Sequence, residues 1–168
     1  MVDVYVGAGS NIEPERHLRH AVGMLEARFG PVRCSDVYRS PSFGFAGPDF
    51  LNIVVAFTVE ISPDDVEREL FDIEYEGGRL RRGERFSSRT LDLDLLLFGE
   101  MVDPKRRLPR EDVRRYPFVL APLAELAPQL KHPLTGMAID NEWRAMQARG
   151  PFELERQPRK IVPGTLFP

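Results

Sequence analysis

A chain of 168 residues, 42% hydrophobic and 29% charged, suits one soluble domain with a real core. A net charge of −3 argues against a global basic field for nucleic acid, and a single cysteine, Cys34, excludes a disulfide framework or a cysteine-rich zinc site. No apolar run approaches 18 residues, and MVDVYVGAGS reads as strand and turn rather than a secretion signal, so the expectation is a cytoplasmic protein without a membrane span.

Val2, Val4 and Val6 alternate into a first strand that breaks at Gly7-Ala8-Gly9-Ser10-Asn11. Asn11 is placed to cap a helix with Pro14 in its first turn and Leu18, Ala21, Val22, Leu25 and Phe29 on its buried stripe. His17 and His20 fall on the polar side of that helix or at its margin, and His132 precedes a proline in a turn. Residues 32–39 read as a second strand. A Gly/Pro-rich loop then leads into FLNIVVAFTVEI, the strongest β run. Ser62-Pro63-Asp64-Asp65 opens a helix that buries Val66, Leu70 and Ile73 and ends at Gly77-Gly78. RTLDLDLLLFG is the next strand, and the apolar stretch 118–126 and DNEWRAMQ are helices. This order predicts a ferredoxin-like α/β (α+β) sandwich, a mainly antiparallel sheet with flanking helices. Residues 1–149 are expected as a single domain, with 150–168 an extended or disordered tail.

The chemistry gathers around the aspartate strand. Strict alternation puts Leu91, Leu93, Leu95 and Leu97 on one face and Asp92, Asp94, Leu96 and Phe98 on the other, as in an interior strand. Two carboxylates on one face start about 6.6 Å apart at their Cα atoms and repel by about 2.5 kcal/mol at an effective dielectric near 20. A shared cation reverses that sign; a solvated strand end is the plainer reading. Just upstream, Arg79, Arg81, Arg82, Arg85 and Arg89 lie within eleven residues, opposed by Glu84. Arginines beside metal-type carboxylates supply both halves of a phosphoryl-transfer site, which needs positioning and charge neutralisation more than covalent chemistry. G-A-G-S-N lacks the third glycine of a dinucleotide fingerprint, and no Walker A sequence occurs, so a tight turn with an asparagine cap is favoured there. Phe50 and Asn52 share a strand face, suited to stacking on a heterocycle and reading its edge, though such phenylalanines are more often core.

With these residues assembled, the chain resembles the 6-hydroxymethyl-7,8-dihydropterin pyrophosphokinase family of folate biosynthesis. The likeness runs in one register through VGAGSN, YRSPSFG, GPDFLN, RTLDLDLLLFG and FVLAPLAELAP. It implies Mg²⁺-dependent transfer of the terminal diphosphate of ATP to the pterin's hydroxymethyl oxygen, releasing AMP. Asp92 and Asp94 then correspond to the ligands of two Mg²⁺ ions. Asn52 corresponds to the amide that reads the pterin, Phe50 and Phe118 to its sandwich, and Ser40 and Phe43 to a loop contacting it. Arg79, Arg81, Arg82 and Arg89 fall where the family has catalytic-loop and phosphate-binding cations, and Glu74 matches a nucleotide-side acid. This chain departs from the pattern at Arg110, where the family has histidine after Pro109, at Tyr116, where it has arginine, and at Ser87-Ser88. Arg110 and Arg115 keep positive charge there and are expected at ATP. A monomer acting on small molecules, with neither nucleic acid nor membrane as partner, is expected. The alternatives are a divergent paralogue acting on a modified pterin, a two-metal nucleotidyl transferase and, last, an RNA-binding sandwich.

Overall fold

In a computed structural model, residues 1–42, 44–77 and 91–164 are described. Strand β1 (Val2–Ser10) leads into α1 (Pro14–Phe29), then β2 (Arg33–Cys34), β3 (Asp36–Ser40), β4 (Phe50–Val59) and α2 (Pro63–Glu76). The aspartate strand is β5 (Asp92–Phe98), followed by α3 (Asp112–Arg115), α4 (Pro117–Leu126), α5 (Ile139–Arg149) and β6 (Glu155–Lys160). The sheet runs β5-β1-β4-β3-β6, with β2 also on β4, and every pairing among these strands is antiparallel. That is the expected sandwich, with one addition at each margin: a third layer of helices and a strand from the tail.

The two faces carry separate cores. Val4, Val6, Ile53, Val55, Leu93 and Leu95 meet the apolar stripes of α1 and α2 on one side. Tyr5, Val54, Ala56, Leu96 and Leu97 meet α4 and α5 on the other. Because helices cover both faces, the strands are apolar on both, which is why the β runs look continuous rather than alternating. The Ser62 hydroxyl accepts from Asp65 N at 3.1 Å, so the start of α2 follows its sequence signal. Among the described residues no helix is long and apolar enough to cross a membrane.

Several expectations change. The second strand is broken at Ser35, which is fully buried and exchanges hydrogen bonds with Val54 through its own N–H and its hydroxyl, at 2.9 Å each. A hydroxyl standing in for a ladder carbonyl lets the chain kink without leaving Val54 N unpaired. Helix α1 starts from Glu13 in the left-handed region (φ 42°), with no side-chain cap. Asn11 donates instead to Pro48 O at 3.2 Å, tying the first turn to the loop before β4. His17, His20 and His132 are all buried. His17 Nδ1 lies 2.7 Å from Ile12 O, so a polar-looking position is satisfied by backbone. Among the described residues strand β5 forms one end of the sheet order rather than an interior position. Its alternation slips, with Val6 opposite Leu95 and Tyr5 opposite Leu97. Leu96 is the extra residue of a bulge, so Leu97 turns to the α4 side and Phe98 to the α1 side, exchanging the faces expected of them.

Part of the tail is extended and paired into the sheet. Residues 155–160 pair with β3, from Asp36 opposite Lys160 to Arg39 opposite Glu155, and Ile161 behind them is buried against the α1 core. Nothing periodic marks this strand because its side chains are mostly exposed, and its pairing rests on backbone and charge.

Candidate active site

Cross-strand register builds the site. Asp92 on β5 stands opposite Gly9 on β1, Gly9 opposite Asn52 on β4, and Asn52 opposite Tyr38 on β3. One row to the side, Asp94, Gly7 and Val54 align in the same way. Neighbouring strands lie about 4.8 Å apart, so the backbones of Asp92 and Asn52 are two spacings, roughly 10 Å, from each other. The glycines between them leave a floor without side chains. Above it opens a cavity of about 470 Å³ lined by Ser40, Phe50 and Asn52 at one end and Asp92, Asp94 and Arg110 at the other. The sequence reading of GAGSN as a turn is thereby corrected: Gly7 to Ser10 are the last residues of β1, and their glycines are the floor of the site.

The pterin-type end is organised by Asn52. Its Nδ2 donates to Tyr38 O (3.1 Å) and to Ser40 Oγ (2.9 Å). A carbonyl can only accept, so these bonds fix which way the amide points and turn Oδ1 toward Gly9. A Cβ on residue 9 would come within 3.2 Å of that oxygen. Gly9→Ala is therefore expected to raise the KM of a substrate read by Asn52 about tenfold while leaving Tm within a few degrees, measured by steady-state kinetics and thermal melts. Phe50 meets Phe45 edge to face at 6.3 Å, and Phe118 stacks on Tyr116 at 5.0 Å with 15° between the rings. Phe45, Phe50, Tyr116 and Phe118 all line the cavity, giving it apolar walls for a flat ring.

The acidic end is electrostatically loaded. Burial, then the charge of Asp92, pushes the Asp94 carboxyl up to about 7; Arg110 opposes the shift, and Asp112 and Glu74 add to it. Arg110 Nη2 lies 3.2 Å from Asp94 Oδ1. Glu74 Oε1 accepts from Leu93 N at 2.7 Å, so the α2 carboxylate closes the open edge of β5 between the two aspartates. Among the described residues no three His, Cys, Asp or Glu side chains converge as a metal cage. Two carboxylates on neighbouring rows of one strand face, with the remaining positions left to phosphate oxygens and water, fit a hard divalent cation of the Mg²⁺ type.

A family model described as 7,8-dihydro-6-hydroxymethylpterin-pyrophosphokinase (HPPK) matches residues 5–128. The chain belongs to the HPPK family. Curated relatives named 2-amino-4-hydroxy-6-hydroxymethyldihydropteridine pyrophosphokinase include one from Synechocystis sp., 40% identical over 139 residues, 80% of this chain and 71% of the relative. Another, from Pseudomonas aeruginosa, is 41% identical over 136 residues, 77% of this chain and 83% of the relative. Among solved structures, an HPPK-DHPS in complex with substrates aligns at TM-score 0.71 and 10% identity, over 88% of this chain and 44% of its own. Wild-type Plasmodium falciparum HPPK-DHPS aligns at 0.70, also at 10%, over 88% and 45%. The chain thus spans less than half of these longer proteins, and at that identity the likeness is one of fold.

Against this HPPK framework, the residues expected from sequence divide into three groups. Asp92, Asp94, Ser40, Phe50, Asn52, Phe118, Glu74 and Arg110 line one cavity. Arg115 does not line it: its guanidinium lies 5.6 Å from the Tyr116 ring centroid. Phe43, Arg79, Arg81, Arg82 and Arg89 lie outside the described residues. The sequence reading missed Gly7 and Gly9 as floor, Phe45 as wall, Asp112 beside Arg110, and Arg107, whose left-handed backbone (φ 57°) sets it at the cavity rim. For the glycines a signal existed, since two of them spaced by one residue inside a strand leave one face bare. For Arg107 and Asp112 there was none, because their approach to the site depends on how the segment after β5 folds back.

Proposed function

We propose that this chain transfers the terminal diphosphate of ATP to the hydroxymethyl oxygen of 6-hydroxymethyl-7,8-dihydropterin, releasing AMP, with two Mg²⁺ ions held through Asp92 and Asp94. The observation that supports the reading is the row Asp92–Gly9–Asn52, in which an amide and a carboxylate flank one bare floor. A flat bicycle stacked between Phe50 and Phe118, with Asn52 at its edge, directs its hydroxymethyl arm toward the aspartates. The hydroxyl oxygen attacks the β-phosphorus of ATP, the bond from that phosphorus to the α,β-bridging oxygen breaks with the oxygen leaving on AMP, and the hydroxyl proton passes to solvent water. Bound Mg²⁺ would neutralise the phosphate charge that develops and hold attacking and leaving oxygens in line.

The chain's own residues supply orientation and field. Asn52 and the ring walls fix the acceptor, and β5, clipped by Glu74, fixes the spacing of the carboxylates. Arg110 and Arg107 bring positive charge to the phosphate side of the cavity. The substrates are small molecules, and the protein is proposed to act as a cytoplasmic monomer. Incubation with ATP, Mg²⁺ and the hydroxymethyl dihydropterin, followed by ³¹P NMR, should give AMP and a pterin diphosphate in equal amounts. ADP would point to single phosphoryl transfer, inorganic pyrophosphate to a nucleotidyl transferase, and no turnover to a paralogue with another acceptor; each would overturn the assignment.

A further inference from the structure

Arg110 is tied into the site at both ends. Its backbone N–H donates to Leu96 O at 2.8 Å, which fastens residue 110 alongside β5 close to Asp94. Its side chain, 18% exposed, turns back so that Nη2 lies 3.2 Å from Asp94 Oδ1 and Nε 3.3 Å from Asp112 Oδ2. The contact is a loose one. Nε is buried without a hydrogen bond of good geometry, although Asp112 Oδ2 stands 3.3 Å away. A guanidinium so held is retained by charge more than by directed bonds, and it exchanges partners readily when a better acceptor arrives. Phosphate oxygens are such acceptors, because they accept the guanidinium fork bidentately.

A divalent cation at Asp94 would stand within a few ångströms of this guanidinium and would be repelled by it. We propose that Arg110 is an exchange residue. In the ligand-free protein it neutralises Asp94 and suppresses binding of a divalent cation alone. When a nucleoside triphosphate enters with the cation, Arg110 leaves Asp94 for a phosphate oxygen and the aspartate passes to the metal. Cation and triphosphate are then taken up as a pair, and the site is not blocked by free metal. This rests on the reading of Asp92 and Asp94 as cation ligands given under the proposed function. It goes beyond a general phosphate contact, because it predicts opposite effects on two ligands.

The test is Mn²⁺ binding to the full chain, followed by EPR and calorimetry without nucleotide, together with binding of a non-hydrolysable ATP analogue at fixed Mg²⁺. Arg110→Gln should bind Mn²⁺ alone about tenfold more tightly and the analogue about tenfold more weakly. Arg110→Lys, whose single ammonium does not span Asp94 and Asp112 together, should fall between the parent and Arg110→Gln. It also serves as the second variant if Arg110→Gln does not fold. A merely structural ion pair predicts weaker binding of both ligands, and that result, or unchanged Mn²⁺ affinity in a folded variant, overturns the proposal. Asp94→Asn separates the two layers: if it binds Mn²⁺ as the parent does, the metal-ligand reading itself fails. If Asp94→Asn loses Mn²⁺ and Arg110→Gln gains none, the exchange role alone fails.

Discussion

Asp94→Asn should lower kcat/KM by at least about 10³-fold and yet yield a protein no less stable than the parent at pH 8. The loss follows from geometry. Removing one preorganised electrostatic donor from a transition state already costs about 10²–10³-fold, and the cation proposed to be held through Asp94 would act on both the attacking and leaving oxygens. Asparagine keeps the shape of the side chain and its place opposite Gly7, so positioning of the pterin end should survive. A near-normal rate in this variant would remove Asp94 from the metal site.

The stability half follows from the same carboxyl. Its folded-state value, about 7 against 3.8 in an unfolded chain, means that the folded protein holds this proton more tightly. Stability of the ligand-free protein must therefore fall as pH rises from about 4 to about 7, and the full penalty is present above that range. Asparagine carries no such charge. Melts of parent and variant at pH 5 and pH 8 should show the variant gaining about 2–4 °C at the higher pH for each kcal/mol of relieved repulsion, with little difference at the lower. A variant that melts lower at pH 8 would mean that the Arg110 contact outweighs burial and the repulsion by Asp92. The candidate active site is thus a place where the fold tolerates an unfavourable charge that a bound cation would offset.

The sequence carried the pairing partners of this site better than its surroundings. Asp92 and Asp94 were readable because charged residues break an otherwise apolar run, and Asn52 because it shares a strand face with Phe50. What escaped were features set by relations between strands. The bulge at Leu96 depends on how β5 fits β1, and no local propensity encodes a register slip. The glycine floor becomes meaningful only when Asp92 and Asn52 are seen to flank Gly9. Asn11 looked like a cap because cap residues and loop-tying residues are chemically the same, and tertiary context decided between them. His17 and His20 misled for a similar reason: a 3.6-residue stripe identifies one buried face, but α1 packs against α2 as well as against the sheet. The tail was least legible of all, since a strand of exposed charges shows no apolar alternation to detect.

That tail supports the second large prediction: truncation after Leu154 should lower Tm by 10 °C or more or prevent folding, although it removes nothing within the stretch matched by the family model. Three losses combine. Strand β3 loses the backbone ladder from Asp36 to Arg39. Ile161, 3% exposed, leaves the α1 core, a loss of about 1.5–3 kcal/mol. Asp36 and Glu125, with side chains only 12% and 14% exposed, lose Arg156 and Lys160, which contact both of them. Because Arg156 and Lys160 are themselves half exposed, each lost ion pair counts for about 1 kcal/mol rather than the cost of a buried pair. Against a typical stability of about 5–15 kcal/mol, that sum leaves little margin. Lys160's hydrogen bond, opposed by burial and aided by Arg156, holds the Asp36 carboxyl below its usual value. The stability it contributes is present above the unfolded value of 3.8 and lost as pH falls through the lower folded one. The truncation penalty should therefore be large at pH 7 and shrink on acidification. Ile161→Ala in the full chain isolates the apolar part, and Arg156→Gln with Lys160→Gln isolates the charged part. If neither lowers Tm by more than about 2 °C, β6 is an appendage to the sheet rather than one of its supports.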